Sequence, residues 1–145
     1  HAASLERPVR LMIALEMIGY YDSAPGSQNY PYPAMSWLYP DRGDFIAVVG
    51  RMQDINAVRQ LKAALLSSRD LSVYSMNAPG FIPGIDFSDH LNYWQHDIPA
   101  VMITDTAFYR NKQYHLPGDT ADRLNYQKMA QVVDGVITLL YNSKQ

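Results

Sequence analysis

The sequence predicts one α/β domain whose sheet is at least partly parallel. Three short apolar segments, Phe45–Gly50 (FIAVVG), 71–76 (LSVYSM) and 98–104 (IPAVMIT), have the length and composition of buried strands. Between the first two, Asp54 is a candidate helix N-cap and segment 55–66 carries apolar residues at helical spacing. A strand, an amphipathic helix and a strand in succession form a βαβ unit, which implies a parallel pair of strands with a right-handed crossover.

A first strand, a long loop and a final helix complete the expected architecture. The apolar segment 9–20, broken near its end by Gly19, predicts a central strand buried on both faces. Segment 22–44 contains four prolines and several aromatic residues without a helical or strand period, which predicts an ordered loop. We interpret this loop as a pocket wall or a partner surface. An apolar stripe over 129–140, preceded by Asn125 as N-cap, predicts a final helix that packs on the sheet.

Size and composition limit the possible classes of protein. The chain has 145 residues, of which 48% are apolar and 18% are charged. Residues 1–145 are therefore expected to form a single domain with one core. A formal net charge of −2 gives no electrostatic reason to bind nucleic acid. No apolar run approaches the ~20 residues of a membrane-spanning helix, and no signal peptide is visible. We therefore expect a soluble protein. The sequence does not indicate its cellular compartment.

The absence of cysteine narrows the possible metal chemistry. Disulfides, thiolate zinc sites and cysteine nucleophiles are excluded, so a metal ion must be bound by His, Asp or Glu. Glu16 interrupts the first apolar segment, and a carboxylate in a buried strand is costly unless it binds a metal or accepts hydrogen bonds. Both interpretations of Glu16 are open at this point.

Two further groups of residues are candidates for a functional site. Ser88, Asp89 and His90 open a short helix that is expected to run to about Gln95. They make a weak nucleophilic triad because adjacent residues on one helical turn point in different directions. In the simpler interpretation, Ser88 caps the helix and Asp89 lies at its positive end.

The second group lies on the loop that follows the last strand. His115 stands beside Tyr114 and four residues before Asp119, an arrangement found in metal ligands that neighbouring groups orient. The alternative is an ordinary surface histidine. His96 and Asp97 lie in an expected turn and indicate solvated surface.

Four motifs occur in an order and spacing that resemble the co-catalytic zinc aminopeptidases. They are LEMIGYYD around Glu16, GDFIAVVG at 43–50, FSDHLNYW followed by DIPAVMITD, and YHLPGDTADRLNY. That family also includes glutaminyl cyclases and the peptidase-like domains of the transferrin receptor. The resemblance covers nearly the whole chain and corresponds to the C-terminal portion of the family's catalytic domain. It implies a truncated three-layer α/β/α sandwich with a mostly parallel mixed sheet, peptide substrates and zinc, in a family whose members are often secreted or periplasmic.

The resemblance also implies roles for individual residues. Glu16 matches a carboxylate ligand at the end of a central strand, and His115 matches the last histidine ligand, each for a different zinc ion. Tyr114 would lie beside the substrate and stabilise the tetrahedral intermediate. Asp89 and Asp119 match supporting or structural positions.

The chain departs from the family in three elements. An early His-x-Asp pair, an Asp that bridges the two metals and an adjacent Glu-Glu pair are absent: the only glutamates are Glu6 and Glu16, and no histidine begins a His-x-Asp. We therefore expect a partial zinc aminopeptidase-like domain that is inactive alone and binds zinc weakly or not at all.

Two alternatives to this interpretation stay open. The first is a non-catalytic binding or assembly module on a peptidase scaffold. The second is an unrelated hydrolase that uses His90 or His115 as a base. Because half a sheet would expose strand edges, the sequence also predicts a homodimer or a complementing chain.

Overall fold

A four-stranded mixed sheet forms the centre of the computed structural model, which describes residues 8–68 and 70–143. The strands are β1 (Met12–Leu15), β2 (Phe45–Gly50), β3 (Ser72–Asn77) and β4 (Ala100–Thr104), in the spatial order β1-β4-β2-β3. The pairs β1–β4 and β2–β3 are parallel, and the central pair β2–β4 is antiparallel. The expected mostly parallel mixed sheet is confirmed.

Helices cover both faces of the sheet. The α-helices are α1 (Ile55–Leu65), α2 (His90–Trp94) and α3 (Tyr126–Asn142). Short 3-10 turns lie at Pro33–Trp37, Met52–Asp54, Ala107–Tyr109 and Ala121–Arg123. None of the helices in the described part of the chain is long and apolar enough to cross a lipid bilayer.

Two apolar clusters separated by the sheet make up the core. Alternate strand residues point to opposite faces, so Ile46 and Val48 of β2 pack with α1 and α3, whereas Val49 packs on the side of α2. The three-layer α/β/α sandwich is therefore confirmed, with a second helical layer that consists of one short helix and loop segments.

The βαβ unit forms as the sequence predicts. β2 and β3 are joined by α1 and pair in parallel, with Phe45 opposite Ser72. α1 buries Val58, Leu61 and Leu65 against the sheet. These are apolar residues at the helical spacing on which the prediction was based. The predicted cap of α3 is also confirmed, since the Asn125 side chain accepts a 3.0 Å hydrogen bond from the Lys128 N–H.

The prediction of a central strand over 9–20 was wrong. β1 has four residues and lies at the edge of the described sheet, because β4 separates it from β2. The later part of the segment leaves the sheet at Gly19 and Tyr20, whose N–H groups donate to the Asp105 carboxylate. As a result Leu15, predicted to be buried, is 45% exposed.

Of two further predicted helix caps, Asp54 is confirmed in position only and Ser88 was wrong. Asp54 occupies the N-cap position of α1, but its carboxylate pairs with Arg51 at 2.8 Å. α2 begins after Asp89, and Ser88 instead donates a hydrogen bond to Glu16. In both cases a nearby charged partner satisfies the side chain that the sequence assigned to the helix.

The apolar stripe of α3 is only partly covered. Val132, Gly135 and Leu139 are buried, whereas Val133, Ile137 and Leu140 are 42%, 43% and 53% exposed. At about 100° per residue, these three lie on the flank of the helix opposite Gly135. Because Gly135 faces Leu65 of α1, the exposed residues face away from α1, on the side where the sheet ends in β1.

Gly135 allows α3 and α1 to approach closely. A Cβ at this position would lie 2.6 Å from the Leu65 Cδ2 atom and 2.9 Å from its Cα atom. We predict that Gly135→Ala lowers the free energy of unfolding by about 1–2 kcal/mol, because the clash outweighs the gain of about 1 kcal/mol in helix propensity. Urea unfolding measures this, with the exposed neighbour Asp134→Ala as control. Unchanged or higher stability of Gly135→Ala would contradict the close packing.

Candidate functional site

A cavity of about 120 Å³ opens on the α2 face of the sheet. Its floor consists of residues of β2, β3 and β4, and the loop 22–44 supplies one wall. The residues that this loop contributes are Gln28, Asn29, Tyr30, Pro31, Met35 and Tyr39. The long loop therefore forms a cavity wall, one of the two roles proposed for it from the sequence.

A row of aromatic rings fixes this wall to the sheet. Phe45 packs edge-on against Tyr74 at 5.1 Å, Tyr74 contacts Tyr39 at 6.1 Å, and Tyr39 contacts Tyr30 at 6.0 Å, measured between ring centroids. The Tyr39 hydroxyl donates to the Ser75 carbonyl at 3.2 Å. Burial in this apolar environment raises the pKa of Tyr30 to about 12. The wall is thus held to β3 by ring contacts and by the hydrogen bond of Tyr39.

Glu16 lies in the cavity wall directly after β1. Its backbone N–H donates to the Ile103 carbonyl of β4 at 2.9 Å, which fixes the position of the residue. Its carboxylate accepts a hydrogen bond of 3.3 Å from the Ser88 hydroxyl. Glu16 and Tyr114 line the same cavity, so the structure brings together two of the predicted site residues.

His115 lies next to this cavity, on the exposed surface. Its ring stacks on the Tyr114 ring with 4.0 Å between centroids and 19° between planes. Its backbone has φ +59°, a conformation that costs a non-glycine residue about 1–3 kcal/mol and is common at functional sites. The His115 N–H donates to Asp119 at 3.3 Å, and Asn111 donates to the same carboxylate at 2.8 Å. Asp119 therefore shapes the turn that carries His115.

The structure separates the remaining predicted residues from Glu16 and His115. Asp89 is exposed at the start of α2 and does not line the cavity. His90 is buried, and its Nε2 atom lies 2.6 Å from the Ile85 carbonyl while its ring packs edge-on against Trp94. Since a carbonyl only accepts, Nε2 carries the proton. His96 and Asp97 form an exposed turn, as expected.

The described side chains do not by themselves fit a catalytic zinc ion. Within residues 8–68 and 70–143, no group of three or more His, Asp or Glu side chains is placed to hold one metal ion. A catalytic zinc site usually has three protein ligands and an open position for water. Glu16 and His115, on two separate loops, fall short of that set.

Asp105 is a central residue of the site that the sequence analysis missed. It is 2% exposed, and its carboxylate accepts hydrogen bonds from the N–H groups of Gly19 at 3.0 Å, Tyr20 at 2.7 Å and Ala107 at 3.0 Å. It thereby joins the loop after β1 to the loop after β4. The sequence does contain a signal, since this aspartate directly follows a buried strand in DIPAVMITD.

Arg110 is a second residue that the sequence analysis did not identify. Its buried guanidinium donates to the Gln28 side chain at 2.9 Å and to the carbonyls of Tyr20 at 3.0 Å and Phe45 at 2.9 Å. Burial lowers its pKa, and the nearby Asp105 carboxylate opposes that shift. A Cβ at Gly43 would lie 2.5 Å from Arg110, which explains the glycine that opens GDFIAVVG.

A second depression lies at the β1 edge of the sheet. Leu15, Gly19, Asp105, Asp119 and Met129 are among its lining residues. It therefore extends from the exposed end of β1 to the first turns of α3 and to the loop that carries His115.

We predict that Asp105→Asn destabilises the protein by about 2–4 kcal/mol. The carboxylate accepts backbone hydrogen bonds on both of its oxygens, whereas an amide has only one acceptor oxygen. The NH₂ group of the introduced asparagine would therefore face at least one backbone N–H group without an acceptor. Urea unfolding measures the loss, and Asp134→Asn on the exposed face of α3 is the matched control, expected to change stability by less than about 0.5 kcal/mol. Equal effects of the two substitutions would show that Asp105 does not join the loops.

The buried His90 ring predicts a pH dependence of stability. Burial lowers the pKa of His90 below its usual 6.5. A group with a lowered folded-state pKa contributes stability that is present above the unfolded pKa and lost as pH falls through the folded pKa. We therefore expect the free energy of unfolding to decrease below pH 6.5, and His90→Gln to lose that component. An imidazole NMR titration with a His90 midpoint at or above 6.5 would contradict this.

Comparison with known proteins identifies what this chain resembles. The protein YfbL of Escherichia coli (strain K12) is 96% identical over 144 residues, which are 99% of this chain and 45% of that protein. The chain thus spans less than half the length of this relative. The Legionella pneumophila LapA aminopeptidase has a similar fold, with a TM-score of 0.61 and 21% identity over 91% of this chain and 30% of LapA.

Legionella pneumophila LapB also has this fold, with a TM-score of 0.64 and 17% identity over 92% of this chain and 31% of LapB. Residues 2–140 match Peptidase family M28. The match includes the loops that carry Glu16, Asp105 and His115. The chain belongs to Peptidase family M28.

Proposed function

We propose that this chain is the part of a zinc aminopeptidase domain that contributes the substrate cavity and two metal ligands, and that it does not catalyse hydrolysis alone. The observation that carries the proposal is the contrast between the family match over residues 2–140 and the lack of any three-residue metal-binding group in the described part of the chain. Glu16 and His115 are the proposed ligands, each for a different zinc ion.

The cavity supports this division of roles. Glu16 and Tyr114 line it, and His115 stacks on Tyr114, so metal ions held by Glu16 and His115 would lie at the cavity wall. In the complete site zinc would activate the attacking water. Tyr114 would then donate a hydrogen bond to the developing oxyanion, while Ser88 orients Glu16 and Asp119 orients the His115 loop.

Hydrolysis needs groups that these residues do not supply. A water activated by zinc requires a base within hydrogen-bond distance, and the family uses a glutamate beside another glutamate ligand. This chain has Glu6 and Glu16 only, and Glu16 is assigned as a ligand. The base and the remaining ligands must therefore come from another segment.

We further propose that this segment covers one continuous surface, which we call the β1-side surface. It consists of the exposed β1 edge at Leu15, the depression beside it, and the α3 residues Val133, Ile137 and Leu140. Exposed strand edges and apolar stripes of this kind are normally covered in native proteins. The proposed occupant is the part of the longer protein that lies outside the match, since the 96% identical relative has over half its length there. A homodimer through the same surface is the competing outcome.

A specific observation also favours a second candidate function, a binding module without catalysis. Uncharged side chains form the cavity lining apart from Glu16, among the described residues, so apolar contacts can hold a ligand there without a metal ion. In this alternative the β1-side surface would bind a partner chain, and zinc would have no role.

The experiment that tests the proposed function is calorimetric titration of the metal-free chain with zinc, alone and mixed with the remaining part of YfbL. We expect the chain alone to bind zinc with a Kd weaker than about 1 μM and the mixture to bind more tightly, because only the mixture has enough ligands. In the mixture, Glu16→Ala and His115→Ala should each weaken binding, whereas His96→Ala in the exposed turn should not.

Two results would contradict the proposal. Tight zinc binding by the chain alone, lost in both ligand variants, would mean that its own residues complete a site. Tight binding by the mixture that neither variant weakens would mean that Glu16 and His115 are not ligands.

A further inference from the structure

The loop 22–44 that forms one cavity wall is firmly attached where it leaves the body of the protein. Gln28 is 6% exposed, and its side-chain oxygen accepts a 2.9 Å hydrogen bond from the buried Arg110 guanidinium. The Asn29 N–H donates to the Tyr109 carbonyl at 2.8 Å, which joins the loop to the segment after β4. The first part of the loop is therefore held at two points.

The outer part of this loop leaves and returns at one place. The Gln28 N–H donates to the Asp41 carbonyl at 3.0 Å, and the Tyr30 hydroxyl donates to the Pro40 carbonyl at 2.6 Å. We call residues 30–39 between these contacts the flap. A compact surface loop whose ends lie this close is an Ω-loop, and such loops are frequently functional. The flap can therefore move as one unit about its two neighbouring ends.

The flap is only lightly attached to the sheet. Each of its residues is at least partly exposed, and Trp37 and Leu38 are 87% and 78% exposed. Within residues 8–68 and 70–143, a single hydrogen bond joins the flap to the sheet, from the Tyr39 hydroxyl to the Ser75 carbonyl at 3.2 Å. The Tyr39 ring also contacts the Tyr74 ring. Segments with few buried apolar contacts open at a small cost in free energy.

The flap covers part of the cavity floor. Tyr30, Met35 and Tyr39 of the flap line the cavity together with Ala47 of β2, which lies in the floor. The cavity has a volume of about 120 Å³. For comparison, an apolar cavity of roughly 150 Å³ in another protein binds benzene. A molecule much larger than benzene therefore reaches the floor only when a wall moves.

We propose that the flap opens about its two ends and controls access to the cavity floor, and that the hydrogen bond from Tyr39 to Ser75 holds it closed. On opening, Tyr39 leaves Ser75 and Tyr74, while Arg110 keeps the start of the loop in place. Loop closures of this kind exclude water from binding sites and often limit the exchange of ligands. The inference goes beyond the proposed function, because it concerns entry to the cavity and applies with or without zinc.

The test uses the absence of cysteine from the chain. Ala47→Cys places one thiol in the floor, and its reaction with an aromatic nitrobenzoate disulfide is followed by absorbance. We expect this thiol to react at least about tenfold more slowly than one introduced by Asp134→Cys on the exposed face of α3. Adding Tyr39→Phe to Ala47→Cys should raise the rate about fivefold, since the ring is kept and one hydrogen bond is lost.

Tyr126→Phe in the same Ala47→Cys background is the matched control. It also removes a hydrogen bond from a tyrosine hydroxyl to a carbonyl, that of Ala121 at 3.1 Å, but Tyr126 does not line the cavity. We expect it to change the rate by less than about twofold. This control separates opening of the flap from a general loss of stability, which would expose the floor in both variants.

Three results would overturn the inference. The thiol of Ala47→Cys could react as fast as that of Asp134→Cys, which would mean that the flap does not restrict access. Tyr39→Phe could leave the rate unchanged, or Tyr126→Phe could raise it equally. If far-UV circular dichroism shows that Ala47→Cys does not fold, Met76→Cys tests the same order of rates, because Met76 also lines the cavity.

Discussion

The Asp105 carboxylate is the interaction on which the geometry of the site depends. It accepts three backbone hydrogen bonds, two from the loop after β1 and one from the loop after β4, in a position that is 2% exposed. The Asp105 N–H also donates to the Met17 carbonyl at 2.6 Å. Both the backbone and the side chain of Asp105 therefore hydrogen-bond to the loop after β1. Glu16 immediately precedes this joint and therefore keeps its place in the cavity wall.

Arg110 extends the same constraint to the long loop. It links Gln28 of the loop, Tyr20 after β1 and Phe45 of β2, and it packs over the Phe45 ring at 4.6 Å. The aromatic row from Phe45 to Tyr30 then holds the outer part of the loop against β3. The cavity is thus built by interactions within this chain. Within residues 8–68 and 70–143, by contrast, no three His, Asp or Glu side chains are placed to hold one metal ion. The proposal that binding and catalysis belong to different segments rests on this contrast.

Local patterns predicted much of this fold from the sequence. The βαβ unit followed from apolar spacing in segment 55–66, and the cap of α3 followed from Asn125, because both depend on residues close in sequence. The edge position of β1 did not follow, since it depends on the insertion of β4 between β1 and β2. The failed cap at Ser88 has the same cause, because its hydroxyl donates to Glu16, which is 72 residues away in the sequence. The Asp54 side chain was missed for a local reason, since it pairs with Arg51 three residues earlier instead of with the helix backbone.

The site was also predicted only in part, because some of its residues are placed by contacts between distant parts of the sequence. Motif resemblance indicated Glu16, Tyr114 and His115, and the structure brings Glu16 and Tyr114 to one cavity with His115 stacked beside them. Their assignment as ligands and stabiliser remains a prediction. Asp105 could have been found as a carboxylate that follows a buried strand, whereas Arg110 shows no local pattern, because its partners lie 65 to 90 residues away.

We propose that catalysis requires residues from outside this chain. The most direct measurement is zinc-dependent release of phenylalanine from a peptide with that N-terminal residue, by the chain alone, by the remaining part of YfbL alone, and by the two mixed. We expect hydrolysis only in the mixture, and less of it when Ile137→Lys places a charge on the β1-side surface. Robust zinc-dependent hydrolysis by the chain alone, or none from a mixture that has assembled, would contradict it.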